Sequence, residues 1–287
     1  MTSSEIAWSL RQRAHTSFGE IAWDHLGEGP PVVLVHGTPS RSLVWRKVAP
    51  ALAEHFAVYV YDLLGYGDSE RREDQDVSIA VQARLLAELG DRWSLDRPAL
   101  VGHDIGGATV LRAHLLEGVA ARRLVLVDAV ALRPWITPAS RHIQAHLEAY
   151  RTMPTHLFRE VVAAHLRTAT HRPMDQEVFR AIFDQWEGER GQARWLAHVA
   201  GFDERHTEEF EPLLNSMETP TRIVWGEHDA WLDPEVSERI ERQLPRADRV
   251  LLSEAGHFSM EDEPDGVAAA ILDWLGEGGE LSDRDRC

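Results

Sequence analysis

The sequence predicts an α/β protein: a mostly parallel sheet of eight strands flanked by helices, interrupted by one helical insertion after strand 6. Two observations carry this reading. Short apolar, β-branched runs alternate with amphipathic helical stretches along most of the chain. That alternation stops over residues 131–214 and then resumes.

In chain order, residues 10–26 read as two antiparallel strands with a turn near Phe18-Gly19. PVVLVHG (31–37) is an apolar run ending in Gly, the mark of a buried parallel strand. A helical stretch at about 42–55, the strand FAVYVYD (56–62) and a helix at about 77–92 follow. Next come the strand PALVGH (98–103), the helix IGGATVLRAHLLEG (105–118) and the strand RRLVLVDA (122–129). Such βαβ units imply right-handed crossovers. Residues 131–214 hold helical patterns such as RHIQAHLEAY and THLFREVVAAHL but no convincing strand. The alternation resumes with PTRIVWGEHD (220–229), a helix at 234–244, DRVLLSEAGH (248–257) and a helix at 264–276. The expected division is a core of 1–130 and 215–278 with a helical cap of 131–214. The tail 279–287 lacks an apolar period and reads as disordered.

Composition narrows the function. With 30 Lys+Arg against 47 Asp+Glu the net charge is −17, which disfavours nucleic acid and anionic membranes as partners. Only Lys47 is lysine, and the arginines read as scattered singly rather than gathered into a patch. No apolar run reaches the roughly 18 residues a membrane span needs. The start MTSSEIAWSL has no basic region and carries Glu5, which points away from a secretory signal and toward the cytoplasm. The single cysteine, Cys287, excludes an internal disulfide or a thiolate metal site. Neither metal nor cofactor is expected. A small, mostly apolar organic molecule is the expected partner, with a homodimer possible.

The sharpest local feature is Gly102-His103-Asp104-Ile105-Gly106, a G-x-D-x-G turn between an apolar strand and an amphipathic helix. This is the setting of a nucleophile elbow, usually G-x-S-x-G. The plain alternative is that Asp104 only caps the helix. Two further sites decide against it. Asp229 (WGEHDAWLDP) and His257 (SEAGHFSMEDEP) each follow a strand, at the edge where open α/β sheets bind ligands. The order nucleophile, acid, base is that of a Ser-Asp-His hydrolase triad with Asp in place of Ser. Asp128, ending LVLVDA, is the alternative acid. An oxyanion hole needs two amides, expected from Ile105 after the nucleophile and from Thr38 in His36-Gly37-Thr38-Pro39.

On HGTPSRSLVWR (36–46), YDLLGYGDSE (61–70), VGHDIGG (101–107), WGEHDAWLDP (225–234) and AGHFSMEDEP (255–264), the chain resembles the α/β-hydrolase superfamily over nearly its whole length. It is most similar to the branch of haloalkane dehalogenases and epoxide hydrolases, whose nucleophile is Asp. A carboxylate is ionised at neutral pH and needs no base to attack. On an ester it would form a reactive anhydride. On a saturated carbon it forms an alkyl ester, which a His257-activated water then hydrolyses, with Asp229 orienting the base.

The leaving group needs donors, and here the chain departs from its relatives. Haloalkane dehalogenases usually carry Trp after the nucleophile, where this chain has Ile105; Trp135, Trp186 or Trp195 are the substitutes. Epoxide hydrolases usually present cap tyrosines, and Tyr150 is the sole cap tyrosine, with His142, His146 and His198 as possible partners. His36 and His103 complete the pocket candidates. Ile105 and Ala108 speak against the arginine that holds a carboxylate in fluoroacetate dehalogenases. The leading expectation is dehalogenase-like, then epoxide hydrolase, then esterase or lactonase, then a non-catalytic small-molecule receptor. Gly65-Tyr66-Gly67 reads as a turn near the site entrance, Asp203 to His206 as a solvated helix face, and Glu261-Asp262-Glu263 as dipole-complementing acids.

Overall fold

A computed structural model describes residues 8–276. The expected tail 279–287 lies outside the described residues. Eight strands form one sheet: β1 (Gln12–His15), β2 (Glu20–Leu26), β3 (Pro31–Val35), β4 (Ala57–Tyr61), β5 (Ala99–Asp104), β6 (Arg123–Ala129), β7 (Thr221–Gly226) and β8 (Ala247–Leu252). Their spatial order is β1-β2-β4-β3-β5-β6-β7-β8. β2 runs antiparallel to both β1 and β4, and every later pairing is parallel. β5, which carries the elbow, therefore lies centrally, between β3 and β6.

The apolar runs are strands because both faces are covered. Val32 to Val35, Leu100, Val101 and Leu124 to Val127 are all fully or almost fully buried. Burying such a side chain contributes about 1.5–3 kcal/mol. The helices on the core are α1 (Ala49–Ala53), α2 (Ile79–Arg92) and α3 (Ile105–Leu116). The helical stretch expected at 42–55 is two pieces, a 3-10 turn at Ser42–Trp45 and then α1. Pro50 at the start of α1 explains the break, since it has no N–H to continue a preceding helix. α2 starts at Ser78, whose side chain accepts the Val81 N–H at 3.4 Å. α3 is buried along its first nine residues, which is why most of them are small or apolar, Arg112 being the exception.

Between β6 and β7 the chain forms α4 (Pro138–Ala145), α5 (Leu147–Arg151), α6 (Thr155–Leu166), α7 (Gln176–Phe183), α8 (Gly188–Ala200) and α9 (Arg205–Glu208), with no strand. Gln185 ties this block to the core, donating to the carbonyls of Pro39 (3.1 Å) and Ser40 (3.3 Å) and accepting from the Gly67 amide (2.9 Å). α10 (Glu235–Gln243), α11 (Ser259–Asp262) and α12 (Pro264–Gly276) complete the chain. β8 ends at Leu252, five residues short of the expected 257. Beyond it the backbone turns because remote acids take its amides: Glu263 accepts the Glu254 N–H at 2.6 Å and Asp262 the Gly256 N–H at 2.9 Å. Glu261, the third acid, pairs with Arg46 and Lys47. These acids do more than complement a helix dipole. Among the described residues no helix is long and apolar enough to cross a membrane, and no three potential metal ligands cluster.

Candidate active site

The G-x-D-x-G turn places Asp104 at the tip of β5 with φ 51° and ψ −125°. This region is costly for a residue with a side chain, on the order of 1–3 kcal/mol, and persists only where packing enforces it. The packing around Asp104 demands glycine in two places. A Cβ on Gly106 would lie 2.4 Å from the Val35 carbonyl oxygen of β3. One on Gly37 would lie 2.4 Å from the Cβ of Asp104 itself. The two glycines let the β3 loop close onto the elbow.

That closure builds an amide cradle around the carboxylate. The Thr38 N–H donates to Asp104 Oδ2 at 2.7 Å, and the adjacent Ile105 amide favours the ionised carboxyl. Oδ1 lies 3.9 Å from His257 Nε2. His257 Nδ1 lies 2.9 Å from Asp229 Oδ2, and both side chains are fully buried. Asp229 is fixed in turn, its Oδ1 accepting the amides of Trp231 (2.8 Å) and Leu232 (2.9 Å). Because Nδ1 faces a carboxylate it carries a proton, leaving Nε2 to face Asp104.

Asp128 does not contact His257. Its φ is 42°, and its oxygens accept from the Gly226 amide (2.7 Å) and the Ser259 hydroxyl (2.5 Å). Burial and the nearby Asp229 push its carboxyl well above the ordinary range. Burial likewise raises Asp104 to about 6, against the lowering pull of His257 and the two amides. Burial lowers His257, but Asp229, Asp104 and Asp128 outweigh it and lift the imidazole to about 9.

A cavity of about 40 Å³ opens above these groups, lined among others by Thr38, Ile105, Trp135, Trp186, Trp195, His198 and Trp231. It has room for about three water-sized spheres, hence for a compact molecule. Ile105, Trp135, His198 and Phe202 also line a second chamber of about 140 Å³ that Tyr66 and Asp203 share. The indole nitrogens of Trp135 and Trp195 are buried with no partner, as is His198 Nδ1. Trp186 is different: its N–H is spent on the Pro39 carbonyl at 2.8 Å. Among the described residues no Lys or Arg lines the main cavity.

Three pocket candidates are corrected. His36 lies beneath the loop, its Nε2 accepting the Leu63 amide at 2.9 Å and its Nδ1 bonded to the Gly37 carbonyl. His103 is buried, with Nε2 2.9 Å from the carbonyl oxygen of His257. Tyr150 lines an outer cavity of the helical block with His142, not the chamber over Asp104. Two lining residues were missed by the sequence reading. Trp231 lies 4.7 Å from His257 and stacks at 4.3 Å on His165, which also lines the cavity. Burial keeps His165 and His198 neutral, at about 4 and about 3.

The alpha/beta hydrolase fold family matches residues 30–264. The chain belongs to that family. Haloalkane dehalogenase 2 of Mycobacterium bovis is 30% identical over 276 residues, covering 91% of this chain and 93% of that protein. A solved alpha/beta hydrolase fold protein from Burkholderia ambifaria is 39% identical, covers 93% of this chain and 98% of its own, and superimposes with a TM-score of 0.89. The epoxide hydrolase CorEH shares the fold at 22% identity and a TM-score of 0.75, with coverage of 93% and 98%. This α/β-fold member is a hydrolase.

Proposed function

We propose that this hydrolase cleaves carbon–halogen bonds at saturated carbon in small neutral molecules, through an alkyl ester on Asp104. The observation that carries the reading is the pairing of the Asp104 carboxylate, held by the Thr38 amide, with two unpartnered indole nitrogens among the residues lining the same cavity. Asp104 Oδ1 attacks the carbon in line, the carbon–halogen bond breaks with its electron pair, and the indoles of Trp135 and Trp195 stabilise the departing halide. Alkylation removes the Asp104 charge, one of those that raise His257. The imidazole then releases its proton and accepts one from water. The resulting hydroxide adds to the ester carbonyl carbon, and the oxyanion rests on the Thr38 and Ile105 amides. Collapse breaks the bond between that carbon and the alkoxide, which takes the proton from His257. The sum is alkyl halide plus water giving alcohol, halide and a proton.

The lining supports neutral substrates: without Lys or Arg among the described lining residues, a carboxylate on the substrate would be buried unpaired. Epoxide opening is the second reading, favoured by the neutral imidazoles of His165 and His198 as donors to an alkoxide.

A panel of short haloalkanes, epoxides and esters, followed with a pH indicator and halide detection, separates the readings. Halide with a stoichiometric proton is expected; turnover of epoxides with neither would replace the proposal. Trp135→Phe and Trp195→Phe are each expected to lower kcat/KM for haloalkanes by about 10- to 100-fold, the cost of losing a hydrogen bond to a charged group. Unchanged values in both would remove the indoles from the mechanism. The free enzyme's kcat/KM is expected to fall about tenfold per pH unit below about 6, as Asp104 takes up a proton and ceases to be a nucleophile.

A further inference from the structure

The arginines are not scattered singly, as the sequence alone implies. Arg159, Arg167, Arg172 and Arg180 line one open cleft of about 560 Å³ on the helical block, and among the described residues no acid lines it. In a chain of net charge −17 this is a local reversal of sign. Two of the cations sit on an aromatic platform. The rings of Phe179 and Phe183 stack at 5.5 Å and 11°, with Arg167 over the first at 5.3 Å and Arg159 over the second at 5.5 Å. Cation–π contact fixes a guanidinium while leaving its N–H edges available.

Neutralisation is incomplete. Arg159 pairs with Glu187 (2.9 Å) and Glu160 (3.0 Å), and Arg172 with Glu254 (2.8 Å). Arg167 and Arg180 have no ion pair among the described residues, although Arg180 acts through space on Asp184. A second, independent feature points the same way: the Thr170 hydroxyl, on the wall of the cleft, is buried without a partner.

We propose that this cleft binds a soluble small molecule bearing a diphosphate or similar polyphosphate group. Guanidinium forks match the edges of a tetrahedral oxyanion, and Thr170 and Gln176 supply neutral donors beside them. A lone halide would leave most of such a space unfilled. The wall is also mechanically close to the catalytic loop. Ala169 accepts the Phe258 amide at 2.7 Å, and Asp262 holds the amides of both His171 (2.7 Å) and Gly256 (2.9 Å). Occupancy therefore stabilises the strap that braces His257, and the melting temperature rises with ligand.

The test is calorimetric titration of the full chain with inorganic pyrophosphate at low salt, beside sodium bromide at matched ionic strength. Saturable one-site binding of pyrophosphate alone is expected, with a rise in melting temperature. Arg167→Gln/Arg180→Gln replaces exposed side chains and should keep the fold by circular dichroism, yet weaken binding by about 10- to 100-fold, as expected for lost charge-assisted hydrogen bonds. No saturable heat, binding unaltered in the double variant, an equal response to bromide, or capture only by vesicles of anionic phospholipid would each overturn the proposal. None of these readouts depends on the hydrolytic reaction.

Discussion

His257→Gln is expected to stop the reaction halfway and leave the alkyl group on Asp104. The proposed nucleophile is a carboxylate, so its attack on carbon needs no base. The second step does, because water is a poor nucleophile until a proton is taken from it. Gln is close in size to His and can still face Asp229, but it has no basic nitrogen. Intact-protein mass should rise by the alkyl fragment, and peptide mapping should locate it on 101–110. Steady-state turnover should fall by roughly 10³-fold or more, as when a catalytic base is removed elsewhere. Halide release should persist as a single burst of about one per chain, the kinetic sign of a covalent intermediate. An unmodified variant, incubated with a substrate the wild type consumes, would remove the two-step scheme.

Asp104→Ala is expected to abolish both burst and turnover, by roughly 10⁴-fold or more. Asp104 is the only carboxylate among the described residues lining the main cavity, and the nearby Asp128 is committed to Gly226 and Ser259. The same variant tests the electrostatics without substrate. Asp104 is one of the carboxylates that hold His257 at about 9, so its removal should lower the midpoint of the His257 titration followed by NMR. A midpoint that stays at about 9 would mean that Asp229 and Asp128 alone set it. Loss of Asp104 by the alkyl ester should have the same electrostatic effect as its loss by mutation. In the proposed scheme that equivalence makes the base available only after the first step.

The candidate constellation was legible because Asp104 ends β5 while Asp229 and His257 lie in the turns shortly after β7 and β8, places that short apolar runs and glycines mark in the chain. Its order along the sequence is that expected of a nucleophile, acid and base. The expected amides followed from the same logic, and the structure places the Thr38 N–H 2.7 Å from Asp104 Oδ2. Histidines at strand ends misled for a physical reason. His36 and His103 lie beside motif residues, yet their rings point inward and satisfy backbone groups, a choice that hydrophobic period does not record. Tyr150 failed because helical spacing gives a face but not which neighbour covers it. Trp231 had a usable signal, lying two residues after the acid and donating its amide to it. His165 had none, since it reaches the cavity only through the packing of α6. The arginine cleft was invisible for a similar reason: its members come from α6, α7 and the loop between them.

The central claim is that Asp104 bonds directly to the substrate carbon, and one turnover in H₂¹⁸O tests it. With enzyme in excess, the account predicts ordinary oxygen in the alcohol and one ¹⁸O in the Asp104 carboxyl group, because water attacks the ester carbonyl and not the substrate. Label in the alcohol, with an unlabelled Asp104 peptide, would mean that water attacks the carbon directly and would contradict the account.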